Sequence, residues 1–185
     1  MKSVTAVLIT LLTLCTFSLT QAAEEKKTIS QALDGGIKIV ESEFVPAAEA
    51  MPEDKYDFAP TTGEFKGVRT FAQQVKHVAA VNYLVAAAML GEKPPVDTNE
   101  EKGPAGMKSK ADIVKFLKVS YAYAHKAAGS VTDANALEPI ATPFGKTKGT
   151  RVGLASVFSW HGFDHYGQMV VYLRMNGIVP PASRG

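Results

Sequence analysis

Apolar residues recur every third or fourth position in four stretches of this chain, separated by segments rich in proline, glycine and charge. That spacing stacks side chains on one face of a helix. The first stretch predicts a helix over 29–50, with Ile29, Leu33, Ile37, Val40, Phe44 and Ala48 as its stripe. Thr28 and Gln31 fit a capping box at its start. Gly35-Gly36 weakens its middle, and Pro46 is expected to kink or shorten its last turns. The second predicts a helix over 68–90, with Phe71, Val75, Val78, Val85 and Met89 as the main stripe. Val81, Leu84 and Ala88 widen one flank, which also carries His77. Gly91 and Pro94-Pro95 stop it.

A third helix is expected over 110–128, with Ser109 as N-cap and Asp112 at its third position. Its stripe is Ile113, Phe116, Leu117, Ser120, Ala124 and Ala127. The loop 129–149 has room for a short strand, although no alternation marks one. The fourth helix, over 150–176, presents Val157, His161, His165, Gln168, Tyr172 and Met175 on one side. Phe158, Phe163, Tyr166, Val170 and Leu173 occupy the other. A helix apolar nearly all round implies either a central position or a self-association surface, the second of which would suit a homodimer. Gly177 and Pro180-Pro181 end it. An all-α fold, an antiparallel four-helix bundle, is the simplest assembly.

Ahead of these helices, Lys2 precedes an uncharged apolar run from Val4 to Leu19, and small residues stand at Thr20 and Ala22. This is the layout of a secretory signal peptide, residues 1–22, cleaved after Ala22. The run is shorter than the roughly 20 residues that span a bilayer, so no stable membrane insertion is expected after cleavage. The mature chain, 23–185, is then one domain in the periplasm or outside the cell. Cys15 is the single cysteine and leaves with the leader. An exported fold without disulfides is held by its core alone, and thiolate chemistry is excluded. The 20 Lys and Arg stand against 18 Asp and Glu, and the leader removes only Lys2. So even a balance makes no electrostatic case for nucleic acid.

The remaining chemistry lies in the histidines. His161-x-x-x-His165 puts two imidazoles one turn apart on an inward-facing helical side, where both can reach one point. Buried ring nitrogens need partners, and a cation supplies one to each neutral ring. A third ligand has two candidates. His77 lies in an apolar setting on the second helix and is preferred; His125, on the third, reads as a boundary residue. Asp164 fits a base, a group orienting a histidine or a solvated charge. Gln168 can line a pocket, and Asn82 needs a buried partner. Gly162 and Gly167 fit close helix approach or a tolerated weakness.

The stretches FAQQVKHVAAVNYL and SWHGFDHYGQMVVYLRMNGIVPP resemble the DinB-like family over essentially the whole mature chain. The resemblance implies a four-helix bundle, often dimeric, with a three-histidine metal site, and carries over His77, His161 and His165 as ligands. It implies nothing for His125. It also implies chemistry that ranges from thiol transfer to metal-dependent hydrolysis. The expected cofactor is one divalent ion, zinc first, with nickel, iron and manganese also suited to nitrogen donors. A small-molecule substrate and hydrolase-type chemistry are expected, because low-molecular-weight thiols belong to the reducing cytosol. The alternatives are a thiol-dependent S-transferase and a non-enzymatic module that binds metal or a small ligand. The chain has no Cys-x-x-Cys-His haem motif and no Glu-x-x-His di-iron motif.

Overall fold

The computed structural model describes residues 26–184. The expected signal peptide, its expected cleavage point and Cys15 lie outside the described residues. Four helices dominate: α1 (Ile29–Ala50), α2 (Phe71–Leu90), α3 (Lys110–Gly129) and α4 (Arg151–Met175). Two short strands, β1 (Pro139–Ala141) and β2 (Lys148–Thr150), pair antiparallel just before α4. Among the described residues, no helix is long and apolar enough to cross a membrane.

Local chemistry explains the helix starts. The expected capping box closes α1, where Thr28 and Gln31 satisfy each other's backbone amides. A second box, Thr70 with Gln73, begins α2 three residues later than the periodicity predicts. Ser109 and Thr150 cap α3 and α4. Pro46 does not shorten α1, which continues to Ala50. The carbonyl deprived of a partner belongs to Ser42, on an exposed turn where water can serve it.

The bundle is a ring in which α1 and α2 sit on opposite corners and α3 and α4 on the other two. Asp34 meets His125 and Glu49 meets Lys118, so α1 and α3 run antiparallel. Gln74 meets His165 and Met89 meets Arg151, which makes α2 and α4 antiparallel as well. The other two neighbouring pairs, α1/α4 and α2/α3, run parallel, as Gly36–Ser159 with Val40–Gly162 and Lys76–Met107 with Glu92–Lys126 require. A parallel pair needs a connection that returns the length of a helix, about 30 Å for 20 residues. Residues 91–109 make that return alongside α2, and Gly103 rests against Lys76 and Phe116.

Enclosure by α3, α4 and this return makes α2 the most buried helix, with only Gln73 fully exposed along its length. A central position was one of the two expectations for α4. Instead Trp160, Phe163, Val171 and Met175 of α4 stay exposed. Asn82 donates to Ser120 Oγ at 3.2 Å, so it finds its buried partner and ties α2 to α3. The two α4 glycines separate cleanly. A Cβ on Gly162 would lie 2.6 Å from Val40 Cγ2, whereas one on Gly167 meets nothing within 4 Å.

Close approach of α1 and α4 therefore depends on Gly162. Gly162→Ala is expected to destabilise by about 1–3 kcal/mol through overpacking, despite better helix propensity. Gly167→Ala is expected to stabilise by about 0.5–1 kcal/mol. Urea unfolding followed by circular dichroism checks both, and equal effects at the two sites would refute the packing account.

Candidate metal centre

Three imidazoles meet where α2 faces α4. His77, His161 and His165 each offer a ring nitrogen, and these atoms lie within 4.8 Å of one another. His161 and His165 come from successive turns of α4, while His77 reaches them across the antiparallel α2/α4 contact. His77 and His165 are buried, and His161 is half-buried.

The outer nitrogens fix how the rings present themselves. His77 Nδ1 donates to the Glu101 carbonyl at 2.7 Å. His165 Nδ1 donates to Gln74 Oε1 at 2.6 Å, and Gln74 Nε2 donates to Gln168 Oε1 at 2.8 Å. Gln168 Nε2 in turn reaches Asp164 Oδ2 at 3.4 Å. With the proton held on Nδ1, a neutral ring turns the lone pair of Nε2 inward, as metal-binding histidines require. His77 Nε2 and His161 Nε2 stand 3.1 Å apart. Two nitrogens at about 2.05 Å from one tetrahedral ion would be roughly 3.3 Å apart. The donor set and spacing fit a single divalent ion, and the cluster can hold one.

Electrostatics favours the neutral rings. Burial is the largest influence on all three and depresses their pKa values, His161 to about 3 and His165 to about 4. For His161 the neighbouring His165 and His77 add to the effect, and for His165 His77 does. The Arg69 charge pushes all three the same way. Metal binding therefore need not displace ring protons at neutral pH.

His125 is elsewhere. Its Nδ1 contacts Asp34 Oδ1 at 2.6 Å and its Nε2 contacts Glu41 Oε2 at 3.0 Å, so it clasps α3 to α1. Asp164 is exposed, with Oδ2 4.0 Å from His165 Nε2. Gln168 belongs to the hydrogen-bonded chain just described. Gln74 and the Glu101 carbonyl were not anticipated from sequence. Gln74 could have been found, since it lies one turn before His77 on a buried face. A backbone carbonyl carries no such signal. The turn that delivers it holds Asn99 and Glu100 at φ 44° and 61°, left-handed conformations that cost of order 1–3 kcal/mol each.

A family model described as the DinB superfamily matches residues 37–169. The chain belongs to the DinB superfamily. A DinB-like protein from Bacillus cereus ATCC 10987 aligns with TM-score 0.64 at 16% identity, over 83% of this chain and 96% of that one. A DinB-like protein from Bacillus subtilis gives TM-score 0.60 at 18% identity, over 79% and 92%. An uncharacterised protein from Escherichia coli UTI89 gives 0.58 at 16%, over 82% and 96%. At these identities the structural likeness establishes the DinB fold and nothing finer. No functionally curated protein matches the chain.

Because the folded rings resist protonation while unfolded ones accept it near 6.5, the metal-free protein is fully stabilised above that pH and loses stability on acidification toward 4 and 3. Its urea midpoint is expected to drop steadily between about pH 7 and about pH 5. The double variant His161→Phe, His165→Phe is expected to show a flatter profile. Matching slopes would contradict the neutral-cluster assignment.

Proposed function

We propose that this chain is an exported, metal-dependent enzyme that performs hydrolase-type chemistry on a small-molecule substrate. One divalent ion, zinc by first choice and nickel, iron or manganese by donor type, is held by His77, His161 and His165. The observation carrying this reading is the convergence of three imidazoles on one point, with two inner lone pairs oriented by hydrogen bonds behind them. Such an ion, when bound, supplies a Lewis acid whose charge is undiminished by its neutral ligands.

Asp164 is the residue placed to move a proton. It sits at the exposed edge of the cluster, and Gln168 holds its Oδ2. In the proposed step a water oxygen bonds to the substrate's acyl carbon, and the water proton passes to Asp164 Oδ2. The acyl–oxygen or acyl–nitrogen bond then breaks, and the proton departs with the leaving group. Export rests on the leader and on a mature chain free of cysteine.

Protein secreted from cells is expected to begin at Ala23 by intact mass, and to carry one ion per chain by elemental analysis. His77→Ala, His161→Ala and His165→Ala are each expected to lose most of that metal. Full metal content in all three would remove the site. Asp164→Asn is expected to keep the metal and to lower kcat on a responsive ester or amide by about 10²–10⁴-fold. Turnover of thiol conjugates alone would favour S-transfer over hydrolysis. Metal binding with no turnover across the screen would favour a binding module.

A further inference from the structure

Beside the three histidines lies a half-open cavity of about 640 Å³. Its walls come from the segment entering α2, from α2 itself, from the α2–α3 return and from Gln168 of α4. Three of its lining side chains are cationic, Arg69, Lys76 and Lys102, and none is acidic. In a chain whose basic and acidic residues nearly balance, that local excess is a specific feature.

The three cations are not equally committed. Lys76 Nζ already donates to the carbonyls of Pro104 at 3.1 Å and Met107 at 3.4 Å, so it holds the return in place. Lys102 has one exposed partner, Glu100 at 3.4 Å, an ion pair of the kind that contributes little in water. The Arg69 guanidinium enters no ion pair among the described residues, and its charge reaches all three imidazoles. Gln74 and Gln168 line the cavity and also form the hydrogen-bonded chain behind His165, so cavity and cluster share a wall.

We propose that this cavity selects substrates bearing an oxyanion, a carboxylate or a phosphate ester, which Arg69 and Lys102 hold so that the reacting bond lies over the three-histidine point. The inference rests on the metal-dependent reading and names its substrate class. Arg69 offers a planar, two-pronged donor matched to either oxyanion, and Lys102 adds a second, compact charge in the same cavity. The turn that carries Lys102 also carries Asn99, a lining residue, and the Glu101 carbonyl that orients His77. One strained segment thus sets both a metal-facing ring and a wall of the cavity.

The test is an amide-resolved NMR titration of chelator-treated protein with benzoate, phenyl phosphate and neutral benzamide. Saturable shifts are expected at Asn99, Lys102 and Gly103 with at least one anion, whose preference identifies the group, and not with benzamide. The double variant Arg69→Met, Lys102→Met changes exposed side chains and is expected to weaken anion binding at least about tenfold. High salt is expected to weaken it as well. Equal binding of benzamide, no binding of either anion, or an unchanged Kd in the double variant would overturn the proposal. His161→Ala is expected to retain anion binding while losing metal, so loss of the metal site and loss of the anion site are read separately.

Discussion

Three imidazoles confined inside a helical bundle impose the constraint on which the rest of this structure depends. Packed within a few ångströms of one another, they cannot all carry charge, and a buried N–H without an acceptor would cost as much as a lost core contact. The fold answers with a backbone carbonyl behind His77 and a glutamine behind His165. Each fixes a tautomer as well as satisfying a donor. The two hydrogen bonds set the inward-facing geometry of the rings, while burial keeps the cluster neutral.

Those bonds sit in a specific helix arrangement. α2 lies antiparallel to α4 with His77 opposing the His161/His165 pair, and the parallel pairing of α2 with α3 requires a return along the bundle. That return is the source of the Glu101 carbonyl and of a wall of the cationic cavity. A shorter connection would satisfy neither. The left-handed residues Asn99 and Glu100 are therefore in a segment whose conformation is imposed from both ends.

Much of this was legible beforehand, for reasons that differ residue by residue. The helices were visible because burial on one side writes a period of three to four into the chain, and three of the caps because Thr28, Ser109 and Gly91 have specific backbone uses. The His161/His165 pair followed from helical geometry alone. His77 was preferred to His125 partly through family resemblance, and its placement shows the physical difference between them. His125 bonds two carboxylates, whereas the His77 ring packs against two imidazoles. The greater enclosure of α2 relative to α4 was not legible, because both helices are rich in apolar residues and composition does not say which one a long connection will cover.

By itself the sequence determined what is local: four amphipathic segments, their caps and stops, and two histidines one turn apart. It also fixed Cys15 as the single thiol of the chain. Tertiary structure alone decided which faces meet, that Gly162 is a contact while Gly167 is open, and that Gln74 and Glu101 stand behind the rings. The division has a physical cause. Periodicity and capping involve residues within a turn or two of one another, whereas tautomers, depressed pKa values and a shared cavity wall depend on groups brought together from distant parts of the chain.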